Sequence, residues 1–246
     1  MDLRTRLLFR ILIPFLNVSN DNGTFPAIPA DALPDVSVSD CQGTAIICGN
    51  ASCTLSVSSY RRFRLFQKEH PEISLALTEV EESELMEGIE KKRFAMILAR
   101  ESMIDTEHYH FFPIATDRIC VMLPADHPLA TRQKLSVTAL TDQSFLLMHP
   151  YTSIYQLCMQ IFQNAGIHPS ILRTARVESL ISAVAVGEGI SLFAESNFRL
   201  FQHEGVISVP LEESPVLRIG FAYKKAGEYT PAMDCFLHFM ADSQKY

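Results

Sequence analysis

The chain has 246 residues, enough for one large domain or two small lobes around separate cores. At 48% hydrophobic and 20% charged residues it has the make-up of a soluble globular protein rather than a disordered or membrane-embedded one. Its formal charge of −7, with no extended basic block, excludes the concentrated cationic footprint of a free-standing nucleic-acid-binding protein.

The first segment, MDLRTRLLFRILIPFLNVSN, has its apolar residues interrupted by Arg10 and followed by Pro14. A secretory leader needs an unbroken apolar run and a small-residue cleavage site, and a bilayer span needs a longer one. Neither is expected here, so the chain reads as cytoplasmic, with no membrane contact. Residues 17–42 carry Pro26, Pro29 and Pro34 among Asn, Asp, Ser and Gly, with no helical or strand period. Residues 1–42 therefore read as an atypical, partly disordered N-terminal segment and linker. Regular structure is expected from about residue 43.

Thr44–Cys48 reads as a short strand, followed by a turn at Gly49-Asn50-Ala51-Ser52. A helix is predicted over Leu55–Glu69, stopped by His70-Pro71. Ile73, Leu75 and Leu77 alternate with Ser74, Ala76 and Thr78, which predicts a half-buried strand. A short helix capped by Ser83 is expected over Glu84–Lys92, then a buried strand over Phe94–Ala99. In the second half, Phe145–Met148 reads as a strand that leads through His149-Pro150-Tyr151-Thr152 into a helix. Ile154, Leu157, Cys158, Ile161, Phe162 and Ala165 form its apolar stripe. Thr152 or Ser153 can cap that helix and Gly166 can end it. Leu180–Val186 reads as a buried helix ended by Gly187, Ile190–Phe193 as a strand, and Thr230-Pro231 as the start of a last helix with Ala232, Cys235, Phe236, Phe239 and Met240 inward.

Strands alternating with helices imply α/β architecture, mostly parallel sheets flanked by helices. The pattern suggests two lobes joined by two extended passages, at Ile119–Pro124 and Leu217–Lys224. Lobe I would span about 43–118 and 219–246, lobe II about 119–218. A ligand would sit between them, where strand ends and helix N-termini converge.

Six dispersed cysteines without a C-x-x-C pair argue for reduced thiols and against structural zinc. His108-x-His110 puts two imidazoles on one strand face, but with no third ligand in sequence it reads as surface chemistry. Gly187-x-Gly189 lacks the third glycine and preceding strand of a dinucleotide fingerprint, and no Walker, G-x-S-x-G or H-E-x-x-H sequence occurs. No metal, cofactor or catalytic residue is expected.

Five segments together resemble the effector-binding domain of LysR-type transcriptional regulators. They are FQKEHPEISLALTE (66–79), CVMLPADHPLA (120–130), LSVTALTDQSFLLM (135–148), AGIHPSI (165–171) and VESLISAVAVGEGISLF (177–193). The resemblance implies a type 2 periplasmic-binding-protein-like fold of two α/β lobes, a small-molecule effector in the cleft, and an antiparallel homodimer. Residues 1–42 do not resemble the winged helix-turn-helix and linker helix of full regulators. DNA would then be reached only through a winged-helix domain that this sequence lacks. Ala95 replaces a common acidic residue, and Ala194-Glu195 stand where proline is usual.

The resemblance also marks the turn carrying Asn50, Ser52 and Thr54 as an effector contact, beside the simpler reading of helix capping. Thr152 and Ser153 form the equivalent turn in the second lobe, where a helix N-terminus would stabilise a carboxylate. Arg100 can clamp an anion, although the commoner situation is a solvated arginine or a pair with Glu101 or Glu79. His149 stands at the cleft mouth as a hydrogen-bonding candidate or a structural histidine. Phe193, with Leu98 and Met148, can line an aromatic pocket. The polar turns at the two helix N-termini point to a small carboxylate or an amino acid as effector, whereas the Phe193 pocket leaves an aromatic ligand open. The alternative is an extracytoplasmic solute-binding protein of the same fold. An enzyme would need a positioned acid or base, for which only Glu79 and Glu178 are placed near the cleft.

Overall fold

The computed structural model describes residues 45–51, 57–227 and 229–241. The N-terminal segment, residues 1–42, and the turn residues Ser52 and Thr54 lie outside them. The first sheet is laid down by β1 (Ala45–Ala51), β2 (Ser74–Val80), β3 (Met96–Arg100) and β4 (Tyr109–Asp117), with helix α1 (Val57–Glu69) between β1 and β2 and α2 (Glu82–Glu90) between β2 and β3. A single residue, Arg118, then separates β4 from β5 (Ile119–Pro124), which belongs to the second sheet. That sheet continues with β6 (Ser144–Leu147), α3 (Ser153–Asn164), β7 (Ser170–Thr174), α4 (Val177–Ala185), β8 (Ile190–Ala194), α5 (Glu195–Leu200) and β9 (Val206–Pro210). The chain returns to the first sheet as β10 (Leu217–Lys224) and ends in α6 (Pro231–Ala241).

The strand orders are β2-β1-β3-β10-β4 and β7-β6-β8-β5-β9. Each sheet is mixed. β1 runs parallel to β2 and β3, and β6 runs parallel to β7 and β8. The two strands that follow the crossings, β10 and β5, lie antiparallel to both of their neighbours. The result is a two-lobed α/β fold of the type 2 periplasmic-binding-protein kind, each lobe closed by a strand that has just arrived from the other.

Sequence explains the layering. β3 (MILAR) and the first five residues of β5 (ICVML) are buried throughout, because helices or neighbouring strands cover both faces of these central strands. Edge strand β2 buries Leu75 and exposes Ser74 and Ala76, the alternation expected of a half-covered strand. Lobe I has an aromatic core in which Phe66 meets Phe236 edge-on at 5.0 Å and Phe221 meets Phe236 at 5.1 Å. Such pairs contribute roughly 0.5–1.5 kcal/mol each beyond area burial. Buried Arg62 of α1 donates to the Phe239 carbonyl of α6 at 3.2 Å and to that of Met240, satisfying C-terminal carbonyls and tying the two helices together. Lobe II packs α3 through Ile154, Cys158, Ile161 and Phe162, as the stripe predicts, and Gly166 takes the left-handed φ of +69° that ends it.

Local details differ from expectation. Gly49-Asn50-Ala51 is strand and not turn. β1 keeps its register with β2 through Ala51↔Val80 and also pairs with β3, so two flanking strands override the turn preference of Gly-Asn. α2 starts at Glu82, its N-cap is Glu81 with no side-chain capping bond, and Ser83 falls inside the first turn. In α6, Cys235 and Phe239 are half-buried at the flank, while Met233, Asp234 and Leu237 join Ala232, Phe236 and Met240 inside. No described helix is long and apolar enough to cross a membrane.

Candidate functional site

Where the two sheets face each other, the end of β3 meets the N-termini of α2 and α3, and that of α4 is tied to Glu81 beside them. The strand ends in Arg100, which the continuous apolar run MILA draws into the interior, so its guanidinium is only 2% exposed. An arginine cannot be discharged in a protein, so a buried one needs an anion. The first residue of α2 supplies it. Glu82 Oε1 accepts from Arg100 Nη1 at 2.8 Å, and its side chain is 9% exposed.

The same carboxylate reaches across to the other lobe. Ser153, the first residue of α3, donates its backbone N–H to Glu82 Oε2 at 2.5 Å and its hydroxyl to Oε1 at 2.8 Å. Arg100 Nη1 also donates to Ser153 Oγ at 3.0 Å, closing a triangle. The residue before, Thr152, is the N-cap: its Oγ1 accepts from the Tyr155 N–H at 3.2 Å and donates to the His149 carbonyl at 2.8 Å. Thr152 therefore satisfies one free amide of α3 and leaves that of Ser153 to an anion from outside the helix. A second contact runs parallel to this one. Arg176, the N-cap of α4, donates to Glu81 Oε1 at 2.6 Å, with side chains 70% and 43% exposed. An open pocket of about 270 Å³ lies beside it, lined by Glu79, Val80, Glu81, Glu84 and Arg176.

The site residues expected from sequence distribute as follows. Arg100 and Ser153 are brought together, with Thr152 next to them. Arg100 departs from the solvated or Glu79/Glu101-paired arginine expected of it. It is buried on Glu82, while Glu101 accepts from Arg218 at 2.7 Å. Glu79 lines the pocket from lobe I. The backbone of Asn50 lies in register between Glu79 and Leu98, which sets β1 at the same sheet end. His149 stacks on Tyr151, ring centroids 5.4 Å apart, and its Nδ1 lies 3.4 Å from Thr174 Oγ1, so it belongs to the lobe II side. Phe193 is fully buried within the lobe II core and is apart from the Arg100 cluster. Ser52 and Thr54 lie outside the described residues. The His108-x-His110 pair does not act as a unit: His108 sits 2.6 Å from Asp105 and His110 packs beside Tyr223, ring centroids 5.1 Å apart. Asp105, Glu107 and His108 do bring one ligand atom each within 4.8 Å of one another, all in the open.

Glu81, Glu82 and Arg176 were not singled out by sequence. The only signal was the glutamate-rich run from Glu79 to Glu90, which reads equally well as the solvated face of a short helix. At the crossover, Arg118 grips Glu195 with two hydrogen bonds of 2.8 and 3.1 Å, and Asp117 accepts from the Ser196 hydroxyl at 2.6 Å. Burial raises the Glu195 carboxyl, but the Arg118 and Arg199 guanidiniums outweigh it and hold the group below the usual carboxylate range.

Comparison with known proteins agrees with this architecture. The LysR substrate binding domain model matches residues 51–245. Among curated relatives, the regulator TtuA of Agrobacterium vitis is 34% identical over 96 residues, covering 37% of this chain and 31% of its own. The uncharacterized HTH-type transcriptional regulator YnfL of Escherichia coli K12 is 24% identical over 172 residues, covering 68% of this chain and 57% of its own. The dual regulator GltC of Bacillus subtilis is 21% identical over 177 residues, covering 71% and 59%. The chain thus spans less than two thirds of each of these relatives. Among solved structures, the effector-binding domain of QuiR in complex with shikimate superposes with a TM-score of 0.71 at 19% identity, covering 81% of this chain and 95% of its own. That of BenM with benzoate gives 0.69 at 23%, covering 80% and 91%. With its family model matched from residue 51 to residue 245 and its two sheets in the arrangement of these domains, the chain belongs to the LysR substrate-binding domain family.

Proposed function

We propose that this chain senses a small organic anion, a carboxylate or an amino acid, between its lobes and controls transcription through an associated DNA-binding domain. The observation that carries the reading is the carboxylate already seated at the α3 N-terminus. Two Ser153 donors and the buried Arg100 guanidinium converge on it, so the chemistry of the cleft suits a carboxylate. The solved relatives hold shikimate and benzoate, each a carboxylic acid, which supports the same ligand class. Charge neutralisation, not catalysis, is what the cluster offers. Its relatives are regulators, which favours a sensor over an enzyme and over a solute-binding protein of the same shape. A cytoplasmic homodimer is the assembly that accords with this role.

The test is a calorimetric titration of the purified chain with a panel of small carboxylates, amino acids and uncharged analogues. Saturable binding of a carboxylate, weakened by Thr152→Ala, is the expected result. Saturable binding confined to uncharged compounds, or none at all, would overturn the carboxylate reading.

A further inference from the structure

The carboxylate in the cleft belongs to the protein itself, and its placement is unusual for its position in the chain. Glu82 opens α2, where an acidic side chain ordinarily serves the amides of its own first turn. Here it is turned away from α2, and it accepts instead from the first residue of α3, 71 positions further on and in the other lobe. Its two oxygens receive three donors, Ser153 N, Ser153 Oγ and Arg100 Nη1. A carboxylate offers about four acceptor positions, so Glu82 nearly exhausts its capacity in this one place. With Arg100 at 2% and Glu82 at 9% exposure, the contact is dry. Glu81, the N-cap residue of α2, also reaches the other lobe, through the Arg176 side chain, but its pair is open to water and correspondingly weak.

The geometry points to Glu82 as a built-in competitor of the effector: its carboxylate holds the anion position at the α3 N-terminus, and an incoming ligand carboxylate takes that position only by releasing it. This rests on the reading of the cleft as the effector site. It adds a residue that sets both ligand class and sensitivity. Only a group able to replace a carboxylate on Arg100 and Ser153 can displace Glu82, so uncharged ligands of the same shape are rejected. Because the apparent affinity is reduced in proportion as fewer molecules have the site vacated, Glu82 sets the concentration at which the domain responds. The two consecutive glutamates also span the lobes at this end of the cleft, and release of Glu82 leaves the exposed Glu81–Arg176 pair in place.

Acetate is the smallest probe of the position, with chloride as the ionic-strength control. We would measure its binding by thermal unfolding and calorimetry in the wild-type chain, Glu82→Ala and Glu81→Ala, alongside the carboxylate panel. Vacating the position should raise acetate affinity by roughly tenfold to a hundredfold in Glu82→Ala, the range of a charge-assisted hydrogen bond. Glu81→Ala should bind acetate no better than wild type. Glu82→Gln, which keeps the shape and one acceptor, serves if the alanine variant does not fold, and should show a smaller gain in the same direction. If wild type binds a panel carboxylate and neither Glu82 variant binds it or acetate more tightly, the competitor is overturned while the effector site stands. If neither wild type nor variants bind any carboxylate, both fall together.

Discussion

Two glutamates that are neighbours in sequence make inter-lobe contacts of very different worth, and the difference can be measured. Replacing Glu82 by Ala takes the carboxylate away from an Arg100 guanidinium that is 2% exposed and leaves the Ser153 amide without its acceptor. Breaking a buried ion pair by removing one partner costs about 3–5 kcal/mol, because the remaining charge stays desolvated. For a protein of this size each kcal/mol shifts Tm by roughly 2–4 °C, so Glu82→Ala should melt about 6–20 °C below wild type. Glu81→Ala removes a pair whose side chains are 70% and 43% exposed, and solvent screening limits that loss to about 0–1 kcal/mol. Urea unfolding followed by circular dichroism gives both values on one scale. The reasoning is refuted if the two variants lose equal stability. That result would mean that water reaches Arg100 when Glu82 is gone, with no desolvated cation left behind.

Three further outcomes follow from the packing and the titration behaviour. Gly220→Ala would place its Cβ 2.2 Å from the Phe112 carbonyl oxygen, a backbone atom at the β10–β4 irregularity. It should destabilise by about 1–3 kcal/mol in denaturant unfolding, and a neutral effect would contradict that close approach. Burial pushes the Cys158 thiol up to about 12 and the Cys120 thiol up to about 11, so both stay protonated at neutral and mildly alkaline pH. Iodoacetamide at pH about 8, an ordinary thiol's range, should spare them in the native chain and label them after unfolding, as read by peptide mass spectrometry; native labelling of Cys158 would count against a sealed core. Thr152→Ala removes the cap on the Tyr155 amide and should cost about 1 kcal/mol, with faster hydrogen exchange confined to the first turn of α3. Unchanged exchange there would show that the cap is dispensable.

The fold was legible in sequence where periodicity is strong. The α3 stripe, the β5 run and the stops at Gly166 and Gly187 stand where the pattern placed them, both glycines with positive φ, while the buried strand expected over Phe94–Ala99 runs Met96–Arg100. The two extended passages at 119 and 217 are the strands that follow each crossing between sheets. What failed locally failed for tertiary reasons. Gly49-Asn50 has turn chemistry, but a strand held on both sides continues through it. Ser83 has capping chemistry, but the helix begins at Glu82, two residues before the expected Glu84, and Ser83 falls within its first turn.

The site was half legible for a related reason. Helix N-termini announce themselves through Thr152-Ser153, whereas the partner of such a terminus can come from any part of the chain. Arg100 illustrates the limit: sequence offered Glu79 and Glu101 as partners because they are near in number or in strand position, yet burial decided the matter. An arginine at the end of a strand buried along its whole length must find an anion within the cleft, and Glu82 is the carboxylate that the β2–α2 turn delivers there. The same necessity governs any ligand. On the proposed reading, a ligand that displaces Glu82 without bringing an anion takes the carboxylate away from a guanidinium that is only 2% exposed, which costs free energy. Anion exchange on a fixed cation is thus the physical step by which the proposed competitor would distinguish a carboxylate from its uncharged analogue.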